Sequence, residues 1–154
     1  MDLIELFRQR GFAEYEGISA REVEDYQKKL YQNGVANIPF EYAAFLSKIN
    51  GVETDTLSLF GIRTNGSFVR DIYSENTTGN AVQNDEIFLG DNSEEYLFYS
   101  WPEKSFIVMN KQNREKFLAF AFLEPALKYF LRAYLISEER SDYIEKIKDK
   151  LKQK

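Results

Sequence analysis

The chain has 154 residues, 44 % of them apolar and 16 % aromatic, and a formal net charge of −5; that is the size of one domain, with enough apolar surface to fold without a disulfide or structural metal. It contains no histidine and no cysteine, which excludes Ser-His-Asp and Cys-His catalysis, thiolate nucleophiles and His- or Cys-bearing transition-metal sites. The most apolar stretch, Phe117–Leu123, is far shorter than the ~20 residues of a membrane span, and Met1–Glu5 has no basic segment ahead of an apolar one, so a cytoplasmic protein without signal peptide or membrane association is expected.

Along the chain, Asp2-Leu3-Ile4-Glu5 fits a capping box and Gly11 closes a short helix. Ser19-Ala20-Arg21-Glu22 is a clearer box, followed by a Val23, Tyr26, Leu30 stripe that Gly34 stops. Ile38-Pro39 opens a third helix with the stripe Tyr42, Phe45, Leu46 and Ile49, ended by Asn50-Gly51, two residues that tolerate positive φ.

The pattern then turns to strands. Thr56–Arg63 reads as one, Asn65-Gly66 as a two-residue hairpin turn, and Ser67–Arg70 as the return. Asp71–Asp85 reads as a helical turn and a loop. Glu86–Gly90, Glu95–Trp101 and Ser105–Asn110 are short, aromatic and branched, and Arg114–Phe120 adds one more strand. Pro125 starts a helix with the stripe Leu127, Phe130, Leu131 and Tyr134, and Ser141–Lys154 reads as a charged terminal helix. The expectation is a single α+β domain over residues 1–154, with a mainly antiparallel sheet of about five to six strands between N- and C-terminal helices. Residues 1–18 form an N-terminal extension and 138–154 the charged C-terminal helix. One sheet face is covered by helices, and the other can face solvent and carry a binding surface.

Charge is segregated along the chain. Asp71–Glu103 holds eight carboxylates (Asp71, Glu75, Asp85, Glu86, Asp91, Glu94, Glu95 and Glu103) and no Lys or Arg, while Lys146–Lys154 carries five lysines. Such a run can dock a basic protein or simply keep the molecule solvated, and it repels nucleic acid. The lysine end reads as a solvated helix terminus.

Among the acids, Asp85, Glu86, Asp91, Glu94 and Glu95 are candidate partner-binding residues, with the aromatic run Tyr96, Phe98, Tyr99 and Trp101 beside them. Leu97, Tyr99 and Trp101 share one face of a strand and Tyr96 and Phe98 the other, so rings stand on both faces and at least one can lie outside the core, although packing under a helix also accounts for them. Asp91-Asn92-Ser93-Glu94-Glu95 lacks the spacing and glycine of a calcium loop and reads as a turn. Glu94 and Glu95 point to opposite faces and cannot flank one glycosidic bond. No phosphate-binding glycine loop is present. No catalytic residue, cofactor or metal is expected.

Three ordered stretches carry a resemblance: Ile38-Pro39-Phe40-Glu41-Tyr42-Ala43-Ala44-Phe45-Leu46; Asn50-Gly51 followed by Leu59-Phe60-Gly61; and Ile87-Phe88-Leu89-Gly90 ahead of Tyr96-Leu97-Phe98-Tyr99. Over about residues 19 to 136 the chain resembles the SUKH superfamily, whose yeast members regulate cell-wall glucan synthesis and many of whose bacterial members are immunity proteins. The resemblance implies an α+β domain that is not an enzyme. By that likeness the chain would neutralise a cognate toxin, here a basic one, by occlusion; the alternative is a regulatory scaffold of the cell-wall-synthesis-regulator type. The matching positions are structural ones, so the resemblance transfers a fold and no binding face.

Overall fold

The computed structural model describes residues 3–9, 11, 15–63, 69–78 and 85–133. Within them the chain runs α1 (Leu3–Gln9), α2 (Ala20–Gln32), α3 (Phe40–Leu46), β1 (Val52–Glu53), β2 (Leu57–Leu59), α4 (Ile72–Thr77), β3 (Glu86–Asn92), β4 (Glu95–Ser100), β5 (Ser105–Asn110), β6 (Phe117–Phe120) and α5 (Leu123–Phe130). The six strands form one antiparallel sheet in chain order. The expected α+β class is the observed one.

The helices follow their stripes. Ser19 caps α2, its Oγ accepting from the Glu22 N–H at 3.2 Å and donating to Glu22 Oε1 at 3.1 Å. At the other end Val35 N–H reaches Leu30 C=O at 2.9 Å and Gly34 N–H reaches Tyr31 C=O at 3.2 Å, a Schellman closure with Gly34 at φ 74°. Pro39 caps α3, and Tyr42, Phe45, Leu46 and Ile49 are all buried. Leu3 and Phe7 join the same core, with Phe7 edge-on to Phe45.

The Tyr42 hydroxyl, fully buried, donates to the Phe60 carbonyl at 2.5 Å, with the Leu89 carbonyl 3.2 Å away, and so ties α3 to two parts of the sheet. Burial drives the Tyr42 pKa upward.

Three expectations are corrected. β2 pairs with β1 on one side and β3 on the other, so both its edges are used and no return strand joins it. Arg70 is not in a strand: Gly61 N–H bonds Arg70 C=O at 3.0 Å, Ile72 N–H bonds Gly61 C=O at 2.9 Å, and Gly61 and Asp71 form a parallel bridge. The Asn65-Gly66 turn lies outside the described residues, as do Tyr134 and the charged segment 138–154. Second, Asn50 uses its side chain rather than a positive φ, the amide donating to Ile62 C=O at 2.6 Å and accepting from Ile62 N–H at 2.8 Å. Gly51 alone takes the left-handed conformation, at φ 88°, where a Cβ would also stand 2.7 Å from the Leu59 carbonyl. Third, α5 starts at Leu123, ahead of Pro125, because Glu41 of α3 accepts the Leu123 N–H at 2.8 Å and caps it from outside.

A second asparagine does for β3 what Asn50 does for Ile62. Where β2 has left the sheet, Asn76 of α4 accepts from Phe88 N–H at 2.8 Å and donates to Phe88 C=O at 2.9 Å, standing in for a neighbouring strand. In the sheet, Leu97, Tyr99, Phe106 and Val108 point into the main core, and α5 packs over β5 and β6. The second face is not open at its centre: Phe98 and Ile107 are 6 % and 7 % exposed.

Candidate functional site

The acidic run is split by the fold. Asp71 is buried and caps α4, accepting from the Tyr26 hydroxyl at 2.5 Å, Arg63 N–H at 3.0 Å and Ser74 N–H at 3.2 Å. Tyr26 Oη in turn accepts from Tyr73 N–H at 2.8 Å. Burial, and then the hydrogen bond to Asp71, push the Tyr26 pKa up.

Arg70, one residue before the run, grips Glu75 with Nε and Nη2 at 2.9 Å each and Asp91 with Nη1 at 2.7 Å, its guanidinium 4.6 Å from the Phe60 ring. The Glu75 hydrogen bond, joined by Asp91, outweighs desolvation and raises the Arg70 pKa. Lys111 adds a cation 3.8 Å from Asp91 and 5.1 Å from the Tyr96 ring. Glu95 is buried and bound by Arg132. The sequence holds no cation between Asp71 and Glu103; folding supplies Arg70, Lys111 and Arg132 from outside it.

The candidate residues therefore separate. Glu95, Phe98 and Tyr99 are buried and do not reach the surface. Asp91 is neutralised, Glu86 is half-buried, and Tyr96 is half-buried, edge-on to Phe88. Glu94 is exposed in the β3–β4 turn, where Asn92 Oδ1 accepts from the Glu94 and Glu95 N–H groups at 3.0 and 2.7 Å, and it lies within the field of Arg132. Glu94 lies in the turn and only Glu95 in β4, so the two are not neighbours along one strand, contrary to the expectation from sequence. No group of three or more Asp or Glu among the described residues could hold a metal ion.

Asp85 and Trp101 come together at the opposite end of the strands. β4 ends at Ser100, and Trp101 starts the turn to β5, where the sheet no longer covers a side chain. Its N–H donates to Asp85 C=O at 3.0 Å, its indole Nε1–H donates to Asn37 C=O at 2.8 Å, and its ring meets Tyr99 edge-to-face at 5.1 Å. Held at three points, Trp101 still exposes 38 % of its surface.

Trp101 walls a groove of about 390 Å³ shared with Tyr31, Val35, Ala36, Asn37 and Asp85. Asp85 in the groove and Glu103 in the turn after Trp101 are exposed and form no ion pair among the described residues. Tyr31, 77 % exposed, was not singled out from sequence. Its signal was present: it follows Leu30, off the Val23–Tyr26–Leu30 stripe, so its ring must leave the core.

No helix of the described residues is long and apolar enough to cross a membrane. No family model matches the chain, and no curated protein matches it.

Proposed function

We propose that the chain is a non-catalytic binding module of the SUKH immunity type, which neutralises a basic toxin by docking it on the Trp101 end of the sheet. The observation that carries this is the exposure of Trp101 beside Tyr31 and Asp85, with Glu103 exposed in the same turn, while Asp91 and Glu95 at the other end of the strands are paired internally. A rigid, half-exposed tryptophan is the usual anchor of a protein interface, and unpaired carboxylates around it steer a cationic partner. The antiparallel α+β architecture and the structural roles of Tyr42, Asn50, Gly51 and Phe60 support the family likeness, since these motif positions build the scaffold the likeness requires.

The test uses the protein encoded beside this chain, purified and titrated by stopped flow and calorimetry. Trp101→Ala is expected to weaken binding by about 30-fold, the scale of a central aromatic anchor. Asp85→Lys with Glu103→Lys lowers the association rate and flattens its salt dependence. Binding that is indifferent to both changes overturns the reading.

A further inference from the structure

The groove beside Trp101 has the chemistry of a seat for a guanidinium group, and we infer that it receives an arginine side chain of the basic partner. This rests on the docking reading above and adds to it the residue recognised.

The chain shows the arrangement twice with its own arginines. Arg70 lies 4.6 Å from the Phe60 ring while Glu75 and Asp91 take its nitrogens. Arg132 lies 3.9 Å from the Tyr129 ring while Glu95 takes both terminal nitrogens. Each site pairs an aromatic face with a carboxylate, the one suited to the flat cation and the other to its fork of donors. The groove is lined by residues that carry the same two elements, Trp101 and Tyr31 with their rings and Asp85 with its carboxylate, and by no Lys or Arg among its described lining residues.

Two further features favour a cation. α2 ends at this groove, which Tyr31, Gly34 and Val35 line, so the negative end of its dipole lies close by. Among the described residues no donor reaches the carbonyl oxygens of Gly34, Val35 or Ala36, because the closing turn uses those of Leu30 and Tyr31. Trp101 is already oriented by Asn37 and Tyr99, so little freedom is lost when a ligand stacks on it. Arginine suits the site better than lysine: it is planar and weakly hydrated, and it can stack on a ring while still donating to a carboxylate and a carbonyl.

Trp101 is the only tryptophan of the chain, so its emission reports on this groove alone. The full chain is titrated with tetra-arginine amide and, separately, tetra-lysine amide at fixed ionic strength. The expected result is a saturable change in Trp101 emission, about fivefold tighter for the arginine peptide, the margin that cation–π stacking gives at an exposed site. Asp85→Asn and Tyr31→Ala each abolish that preference; both side chains are exposed, so the variants fold. No saturable change, or equal responses to the two peptides, overturns the inference, as does a preference that survives in both variants. If the whole basic partner still binds in an Asp85- and Trp101-dependent way while tetra-arginine gives no response, the docking reading survives and the arginine seat falls.

Discussion

Arg132 grips Glu95 through both terminal nitrogens, Nη1 to Oε1 at 2.8 Å and Nη2 to Oε2 at 3.0 Å, and ties the end of α5 to the first residue of β4. The Glu95 hydrogen bond outweighs desolvation and raises the Arg132 pKa, so the guanidinium keeps its charge. Arg132→Ala leaves the carboxylate buried with, among the described residues, only the Asn92 amide, 3.3 Å away, as donor. The expected loss is about 2 kcal/mol in urea unfolding, below the range for a fully buried pair because the Arg132 side chain is partly exposed. Glu94→Gln, one residue earlier and exposed, should cost under about 0.5 kcal/mol. Equal losses would show that the Glu95 pair is no special tie.

Asn50 and Asn76 each form both hydrogen bonds of a peptide group, on Ile62 and Phe88, in each case 12 residues downstream. Asn→Ala at either position strands a buried N–H and C=O, at about 2 kcal/mol or more. Asn76→Asp keeps the acceptor for Phe88 N–H but sets a carboxylate against Phe88 C=O, so it is expected to lose as much as Asn76→Ala. Amide exchange of Phe88 checks the mechanism: protection falls in both Asn76 variants and is retained in Asn50→Ala if the two clasps act locally.

How far the fold could be read depended on periodicity. The stripes at Val23–Leu30 and Tyr42–Ile49 mark buried helix faces, and Glu86–Asn110 alternates strand and turn with the observed boundaries off by at most two residues. β1 is two residues long, too short for an alternation to register. The Asn65-Gly66 signal pointed to a hairpin that β2 had no free edge to accept. The charge pattern misled for a physical reason: Arg132 is 37 residues from Glu95 and Arg70 is 21 from Asp91, and a count along the chain cannot see partners brought by folding. Rings on both faces of β4 were legible; that Trp101 is the exposed one depends on the strand ending at Ser100.

Tyr26 and Tyr42 predict how stability responds to alkali. Both are held neutral in the fold, chiefly by burial, with pKa values raised above the ordinary 10. An unfolded tyrosine ionises near pH 10, so both contributions are complete below that value and are lost as pH climbs past it towards the raised folded values. With no His and no Cys in the chain, stability should be flat from about pH 6 to 9. Above about pH 10 the two tyrosines together impose a fall approaching 2.7 kcal/mol per pH unit. Tyr42→Phe should halve that slope while costing about 1–2 kcal/mol at pH 7, because the Phe60 carbonyl loses its donor. An unchanged slope in urea titrations would remove Tyr42 from the alkaline transition.

Charge reversal at the two ends of β3 separates the structural acids from the docking acids. Asp91 faces Arg70 at 2.7 Å and Lys111 at 3.8 Å, so Asp91→Lys gathers three cations and also leaves Arg70 with Glu75 alone. A loss of about 2–3 kcal/mol is expected, read as a lower unfolding midpoint. Asp85 is exposed and has no ion pair among the described residues, so Asp85→Lys should leave the midpoint within about 0.5 kcal/mol while reducing association with a basic partner. The contrast matters more than either number. Were Asp85→Lys to destabilise the fold as Asp91→Lys does, the Trp101 end would be knitted into the scaffold like the Glu95 end, and its carboxylates would no longer be available to a second protein.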